Sequence, residues 1–198
     1  LERAKAAKLL DVVVLAIPTN KEDDVLVELG KTVGVEVFRG HPTDLVDRYY
    51  QAAKQYGADV VCRIPADNPL IHPSEIDRII NHFLENFETL DFASNICSFL
   101  DNEYPDGLGA EVFSFKMMDW VHKNVHDARD REHVTTYFRE HPEKFRLGTV
   151  KCPPEFRRPE IVLDINTQKH YDYMSRLFND LSKPGQFIHI KDIIEWYD

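Results

Sequence analysis

An aspartate between two prolines, directly after a short apolar segment, is the feature of this chain with the clearest chemical potential. Asp67 follows the run 60–64 and stands between Pro65 and Pro69. In an open α/β sheet, ligands bind just beyond the carboxyl ends of the strands. A carboxylate in that position can hold a divalent metal ion against a phosphate group. The alternative is a local role, in which Asp67 caps the helix that begins near Pro73.

The composition limits the classes of protein and partner. The 198 residues suffice for one domain with a sheet covered on both faces, and 43% hydrophobic with 29% charged residues is typical of soluble globular proteins. The net charge of −10 argues against a nucleic acid polymer as partner. The chain contains no apolar run of membrane-span length and no visible signal peptide, so we predict no membrane contact and a cytoplasmic location.

The cysteines give a second indication of the compartment. Cys62, Cys97 and Cys152 are far apart and have no paired-ligand spacing. This pattern argues against a zinc site and against a disulfide framework, and it fits a reducing environment.

Strands and helices alternate along the chain, which predicts a parallel sheet with right-handed crossovers. Segment 11–17 is continuously apolar, as in strands that are buried on both faces, whereas 110–115 alternates like a half-exposed strand. The predicted strands are 11–17, 35–38, a strand ending near 64, 90–95, 110–115, 147–152 and 160–163. The predicted helices are 1–10, 21–33, 43–56, one from about 73, one capped by Ser114, 130–140, 166–181 and 190–197.

Several segments together resemble a known family. In chain order they are VEVFRG (35–40), DLVDRYY (44–50), RIPADNPLI (63–71), YPDGL (104–108), EVF (111–113), REHVT (131–135), PEKF (142–145) and VLD (162–164). This ordered set resembles the cytidylyltransferases of the spore-coat-polysaccharide-biosynthesis F type, which are relatives of the enzymes that make CMP-activated acidic sugars. The resemblance covers nearly the whole chain.

The resemblance implies a fold and a reaction. The fold is α/β, a Rossmann-like three-layer α/β/α sandwich of the nucleotide-diphospho-sugar transferase type with a mostly parallel sheet, here as a single domain over residues 1–198. In the reaction, a hydroxyl of a sugar, expected to be acidic, attacks the α-phosphorus of CTP and pyrophosphate leaves, in the synthesis of surface polysaccharides or glycans. The implied cofactor is Mg²⁺, the implied partners are CTP and the sugar, and a homodimer is a family expectation.

The same resemblance implies the catalytic metal ligands and the nucleotide contacts. Asp67 and Asp164 are the implied ligands of Mg²⁺, although Asp164 could instead cap the helix that follows it. Arg39 and Arg48 are expected to contact the phosphate or the base of the nucleotide. Their alternative is a surface ion pair with Asp44 or Asp47.

The remaining implied contacts are to the acceptor sugar. Tyr104, Asp106 and Glu111 would line its pocket, although Asp106 with the glycine after it is also an ordinary turn. Arg131 would hold the carboxylate of an acidic sugar by paired hydrogen bonds. His133 is either a further substrate contact or a structural histidine.

The chain departs from the family pattern around both aspartates. Ala66 and Asn68 flank Asp67, where the family usually has glycine before the acid and often cysteine after it. Residues 166–168 are Asn, Thr and Gln, where further acids are usual. Because fewer carboxylates are present, we expect weaker capture of Mg²⁺, or capture only when the nucleotide is already bound.

A larger departure concerns the first helix. In the family, a central strand and a basic loop of pattern R-x-x-S-x-R-L-P-x-K precede it, and these 198 residues contain neither. The domain is therefore expected to be N-terminally incomplete and, alone, unable to transfer nucleotide efficiently.

Two other classes stay open. A sugar-nucleotide-dependent glycosyltransferase shares this architecture, but it would carry an Asp-x-Asp motif, and Pro69 stands where the second acid would be. A non-catalytic scaffold domain is favoured by the weakened acidic motifs and by the lack of the phosphate loop.

Overall fold

The computed structural model describes residues 1–96 and 99–198, so Cys97 lies outside the described residues. The strands are β1 (Val14–Pro18), β2 (Glu36–Gly40), β3 (Val60–Arg63), β4 (Phe92–Ser94), β5 (Glu111–Ser114) and β6 (Leu147–Gly148). The helices are α1 (Glu2–Lys5), α2 (Asp24–Val33), α3 (Leu45–Gln55), α4 (Pro73–Glu85), α5 (Phe115–Asn124), α6 (Ala128–Glu132), α7 (Thr136–Glu140), α8 (Gln168–Leu181) and α9 (Ile190–Tyr197).

The strands form two sheets. β1 and β2 pair in parallel, and the second sheet has the strand order β3-β5-β4-β6. Within the second sheet, β5 runs antiparallel to β3 and β4, while β4 and β6 are parallel. The antiparallel strand arises because the described part of the β4–β5 connection holds only a short helical turn, Phe99–Asp101, and not the crossover helix that parallel pairing needs.

Helices cover the second sheet on both faces. Neighbouring residues of a strand point to opposite faces, and Phe113 and Val112 of β5 therefore belong to different core clusters. The Phe113 cluster includes residues of α3, α5 and α7, and the Val112 cluster includes residues of α1 and α4. The predicted α/β class and its three-layer α/β/α arrangement are confirmed.

A third core cluster lies under α8 and α9. Met174 and Leu177 of α8 and Ile193 of α9 pack against apolar residues of three loop segments. Those loop residues are Leu70, Leu108, Ile161 and Leu163. The loops that follow β3, precede β5 and precede α8 are thereby brought together.

Local sequence signals account for several helix boundaries. Pro73 is the first residue of α4, and the hydroxyl of Ser114 accepts a hydrogen bond from the amide of Met117 at 3.2 Å, both as predicted. Gly57 follows α3 with a φ of 62°, the left-handed conformation that glycine tolerates best. The cap of α3 is Asp44 and not Thr43.

Several predicted elements differ from the structure. Segment 110–115 was expected to be half-exposed, but Glu111–Phe113 is buried because β5 lies between two strands under helices on both faces. The strands expected at 147–152 and 160–163 shrink to β6 and to a single bridge between Asp106 and Val162. The helix expected at 130–140 is split into α6 and α7, because Thr135 turns into the core and donates to Glu111 at 2.8 Å.

Across residues 1–96 and 99–198, the structure contains no helix with the length and apolarity needed to cross a membrane.

Candidate functional site

Asp67 and Asp164 lie on adjacent backbone segments, although they are far apart in the sequence. The amide of Ile165 donates a hydrogen bond to the backbone oxygen of Asp67 at 2.9 Å. Two residues earlier, the amide of Leu163 donates to the backbone oxygen of Asp106 at 3.1 Å. The segment that carries Asp164 is therefore held by the loop after β3 and by the loop before β5.

The side chain of Asp164 points away from the core. Leu163 is fully buried in the cluster under α8 and α9, and Ile165 packs against the same cluster. Because alternate residues of an extended segment point to opposite sides, Asp164 faces the other way. The alternation thus separates the apolar contacts of this segment from its carboxylate.

One carboxylate oxygen of Asp164 has no hydrogen-bond partner among the described residues. Its Oδ1 atom is buried, and Nδ1 of His170 lies 3.7 Å from it, beyond hydrogen-bond distance. The Oδ2 atom accepts a hydrogen bond from the side-chain amide of Asn166. A buried carboxylate oxygen without a donor costs free energy, so this atom is suited to a cation.

Asp67 has a different environment. It is exposed, in a tight turn, and the residue after it, Asn68, is buried. Arg63, at the end of β3, lies close enough to feel its charge: burial opposes the charged form of Arg63, but Glu111, Tyr49 and, more weakly, Asp67 raise its pKa.

The helix-cap alternative is wrong for both aspartates. The N-cap residue of α4 is His72, whose side chain makes no capping hydrogen bond. The cap of α8 is Thr167, whose hydroxyl accepts from the amide of His170 at 3.2 Å. Neither carboxylate makes the helix-capping hydrogen bond that would compete with metal binding.

The donor set fits Mg²⁺ together with a nucleotide better than a metal ion bound by protein alone. The described residues contain no cluster of three or more His, Cys, Asp or Glu side chains that could hold a metal ion. Mg²⁺ is commonly bound by one or two carboxylates, with water and phosphate oxygens at its other positions. Asp67 and the unpartnered Oδ1 atom of Asp164 could supply those carboxylates.

A buried ion pair lies beside the candidate site. Glu111 is 1% exposed and forms an ion pair with Arg63, and it also accepts the hydrogen bond from Thr135. The Nε atom of Arg63 is buried without a partner among the described residues. The sequence analysis did not identify Arg63 as a candidate site residue. Its position, as a charged residue at the end of an apolar strand just before Asp67, could have indicated it.

The two arginines of the predicted nucleotide site are bound to other protein groups. Arg39 forms an ion pair with Asp24 and donates to the backbone oxygen of Asn20 at 2.6 Å. Arg48 is 8% exposed, and its guanidinium donates to the backbone oxygen of His41 at 3.1 Å. The alternative of ion pairs with Asp44 or Asp47 is therefore wrong for both arginines, and their contact with nucleotide stays a prediction.

Arg131, on α6, contacts the N-cap residue of α3. Its Nε atom lies 2.7 Å from Oδ2 of Asp44, and Nη1 donates to the backbone oxygen of Val125 at 2.7 Å. Burial alone would raise the pKa of Asp44, but the hydrogen bond and the charge of Arg131 lower it. His133 is exposed. The roles of Arg131 and His133 in sugar binding stay predictions.

The predicted acceptor residues differ in exposure. Tyr104 is fully buried, and its hydroxyl lies between the carboxylate of Glu75 and Nη1 of Arg78. Asp106 is half-buried, and its backbone is part of the contact with Leu163 described above. Of the predicted acceptor residues, the structure thus brings Asp106 next to the two aspartates through its backbone.

Curated relatives are similar over most of the chain. A protein of Methanocaldococcus jannaschii, recorded as uncharacterized, is 37% identical over 200 residues, which is 100% of this chain and 77% of the relative. The spore coat polysaccharide biosynthesis protein SpsF of Bacillus subtilis is 27% identical over 85% of this chain and 67% of its own length. A 3-deoxy-manno-octulosonate cytidylyltransferase of Chloroherpeton thalassium is 35% identical over 43% of this chain and 34% of its own length.

Solved structures give the same picture of the fold. A cytidylyltransferase from Leptospira borgpetersenii superposes with a TM-score of 0.87 at 28% identity, over 99% of this chain and 81% of that one. A CMP:2-keto-3-deoxy-manno-octonic acid synthetase, solved with CTP, superposes with a TM-score of 0.64 over 90% of this chain and 85% of that one. At 10% identity, this second likeness shows the fold alone. The nucleotide-diphospho-sugar transferase fold is thus confirmed.

The match to a family model extends over almost the entire chain. The model described as cytidylyltransferase matches residues 1–193. Together with the relatives above, this match shows that the chain belongs to the cytidylyltransferase family, whose members are nucleotidyltransferase enzymes.

Proposed function

We propose that this protein transfers CMP from CTP to a hydroxyl of an acidic sugar, with release of pyrophosphate, in the synthesis of a surface polysaccharide or glycan. The family supports the nucleotidyl transfer. The names of two relatives support the sugar: one is a spore coat polysaccharide protein, and the other is a cytidylyltransferase for 3-deoxy-manno-octulosonate.

The observation that carries the proposal is the pairing of the two loops that contain Asp67 and Asp164. The hydrogen bond from Ile165 to Asp67 places the carboxylate-bearing segments side by side, and Oδ1 of Asp164 has no protein donor among the described residues. A triphosphate brings several negative charges to a protein that is itself acidic. A cation held between two carboxylates and the phosphates would offset the repulsion between the triphosphate and the acidic protein.

The role of these residues is positional and electrostatic. The acceptor oxygen forms a bond to the α-phosphorus, the bond from that phosphorus to pyrophosphate breaks, and the hydroxyl loses its proton. Asp67 and Asp164 would hold Mg²⁺, which when bound neutralises charge on the phosphates. The backbone bond between their segments would keep the carboxylates at a fixed separation before CTP arrives, and such pre-organisation lowers the barrier to transfer.

A homodimer and a cytoplasmic location stay predictions.

Calorimetry of CTP binding with and without Mg²⁺ tests the proposal on this chain. We expect binding that depends on Mg²⁺ and that weakens about 10-fold to 100-fold in Asp67→Asn and in Asp164→Asn. Asp172→Asn is the matched control, because Asp172 is exposed on α8 and, among the residues that the structure describes, its carboxylate accepts only from Gln168, at 2.8 Å. Equal binding without Mg²⁺, or equal losses in all three variants, would contradict the proposal.

Release of pyrophosphate identifies the acceptor. We expect release from CTP, which should be slow with these 198 residues alone, to rise when a carboxylate-bearing sugar such as 3-deoxy-manno-octulosonate is added. A neutral sugar of the same size should have a smaller effect. If neutral sugars are used equally well, the acidic acceptor is wrong while the transfer of CMP stands.

A further inference from the structure

A histidine in the first turn of α8 lies beside Asp164. The Nδ1 atom of His170 is 3.7 Å from Oδ1 of Asp164, the buried oxygen that has no hydrogen-bond partner among the described residues. The side chain of His170 is 38% exposed and lines an open groove of about 570 Å³ along α8. An imidazole nitrogen thus stands beside the free carboxylate oxygen, at a place that a hydrated ion can reach from solvent.

Asn166 orients both of these groups. Its side-chain amide donates a hydrogen bond to Oδ2 of Asp164, which leaves Oδ1 as the free oxygen of that carboxylate. Its backbone amide faces Nδ1 of His170 at 3.5 Å. Because an N–H group points at Nδ1, this nitrogen presents a lone pair, and the ring proton is on Nε2. A nitrogen and an oxygen that both present lone pairs are therefore neighbours.

The separation of these two atoms is suitable for one metal ion between them. Bonds from a divalent ion to an imidazole nitrogen and to a carboxylate oxygen are each about 2.1 Å long, so two ligands of one ion lie at most about 4.2 Å apart. The distance of 3.7 Å is within that limit. The hydrogen bond from Asn166 holds the carboxylate in place, as outer hydrogen bonds commonly do for metal ligands.

We propose that Nδ1 of His170 joins Oδ1 of Asp164 as a ligand of the ion that binds with CTP, and that the site therefore prefers a divalent transition-metal ion to Mg²⁺. Mg²⁺ takes oxygen ligands, whereas imidazole suits transition metals. Phosphate oxygens and water would fill the remaining positions. This inference rests on the proposed function, because it names a further ligand and the preferred ion of the same site.

Two other roles for His170 fit the contacts less well. Helix capping does not use the imidazole, because the hydroxyl of Thr167 caps α8 by accepting from the backbone amide of His170. An ion pair with Asp164 needs a proton on Nδ1, but the two atoms are beyond hydrogen-bond distance and the backbone amide of Asn166 faces the same nitrogen. Both contacts leave Nδ1 available to a metal ion.

Electron spin-echo spectroscopy of bound Mn²⁺ tests the nitrogen ligand directly. The sample is the 198-residue chain without an affinity tag, mixed with Mn²⁺ and CTP, once with ordinary histidine and once with histidine that carries the heavy nitrogen isotope. We expect a nitrogen modulation whose frequency changes with the label, because a coordinated nitrogen couples to the electron spin of Mn²⁺. The nitrogens of CTP are unlabelled and cannot cause this change.

A variant measures the preference for the ion. His170→Gln should remove the modulation and should lower the affinity of the CTP-bound chain for Co²⁺ about 10-fold to 100-fold in calorimetry. Its affinity for Mg²⁺ should change little, because that ion favours oxygen ligands. His126→Gln is the matched control, since it removes an exposed imidazole between α5 and α6 and should change neither measurement. Should His170→Gln fail to fold, the labelled unaltered chain still decides the question.

The possible results separate this inference from the proposed function. Mn²⁺ that binds with CTP but shows no histidine modulation would overturn the role of His170 and leave the proposed function standing. Equal losses of Co²⁺ and Mg²⁺ affinity in His170→Gln would overturn the preference for a transition metal. If no ion binds together with CTP, both this inference and the proposed function are wrong.

Discussion

The backbone oxygen of Asp67 accepts a hydrogen bond from the amide of Ile165 at 2.9 Å, next to Asp164. The two carboxylate-bearing loops are thus joined through main-chain atoms. Leu163 and Ile165, the apolar neighbours of Asp164, stabilise this contact by packing into the cluster under α8 and α9. A change to either carboxylate therefore alters the charge at the site without removing the contacts that bring the loops together.

Asp164→Asn should separate stability from function. Because Oδ1 of Asp164 is buried without a donor, we expect the free energy of unfolding to stay the same or to rise by up to about 1 kcal/mol. Mg²⁺-dependent binding of CTP should fall in the same variant. Urea unfolding and calorimetry on one preparation check both expectations. A loss of stability in Asp164→Asn would show that the carboxylate serves the fold instead.

Gly107 should be needed both for the fold and for the site. Its φ is 91°, and a Cβ atom would lie 3.1 Å from the backbone carbon of Leu163, beside the bond between Leu163 and Asp106. We expect Gly107→Ala to cost about 1–3 kcal/mol in unfolding free energy and to weaken Mg²⁺-dependent CTP binding. Urea unfolding and calorimetry measure the two effects.

Gly57→Ala is the control for that variant. Gly57 also has a positive φ, 62°, but no atom of the described residues beyond its chain neighbours lies within 4 Å of a Cβ placed there. It should show only the conformational cost of about 1 kcal/mol and normal CTP binding. If both glycine variants weaken CTP binding equally, the close approach to Leu163 is not what the site requires.

The ion pair between Arg63 and Glu111 should matter far more than an exposed one. Arg63→Met leaves the carboxylate of Glu111, 1% exposed, with only Thr135 as a partner in the described part of the chain, and we expect the free energy of unfolding to fall by about 3–5 kcal/mol. The double variant with Glu111→Leu should recover most of that loss because no buried charge remains. Denaturant unfolding of the single and double variants measures the coupling.

Lys31→Met removes a solvent-exposed ion pair and serves as the control for Arg63→Met. Lys31 and Glu28 are 2.7 Å apart, with side chains 65% and 72% exposed, so its removal should cost less than about 1 kcal/mol. A loss in Arg63→Met as small as in Lys31→Met would mean that Glu111 takes up a proton or is hydrated when its partner is removed.

Features with a local cause could be predicted from the sequence. Pro73 begins α4, Gly57 follows α3 in a left-handed conformation, and Ser114 caps α5, because each depends on the chemistry of one residue and its near neighbours. The carboxyl-end position of Asp67 also followed from the strand before it. The resemblance added the pairing of Asp67 with Asp164, which spacing alone did not give.

Features with distant partners could not be predicted. The burial of Glu111 depends on Arg63 and Thr135, and Arg39 pairs with Asp24 because the ends of β1 and β2 lie side by side. The sequence contains the charges but not their pairing. For the same reason, the antiparallel direction of β5 was missed, since it is set by a connection that shows no clear pattern.

Protonation of His72 should lower the free energy of unfolding as the pH falls from 6.5 to about 4. Burial, with the positive charges of Arg3 and His189, lowers the pKa of His72 from 6.5 to about 4. Between these two pH values the unfolded chain binds a proton that the folded protein does not, so the free energy of unfolding decreases as the pH falls. One such group contributes a slope of at most about 1.4 kcal/mol per pH unit.

Urea unfolding between pH 7 and about pH 4 measures this slope in three proteins. His72→Gln should flatten the dependence relative to the unaltered chain, whereas His126→Gln, which removes an exposed imidazole, serves as the control. Carboxylates such as Asp44, whose pKa is lowered because Arg131 outweighs the effect of burial, lose their contribution at still lower pH and are common to all three. The same slope in His72→Gln and in the unaltered chain would show that His72 takes up its proton without cost to the fold, through exposure or through a movement of Arg3.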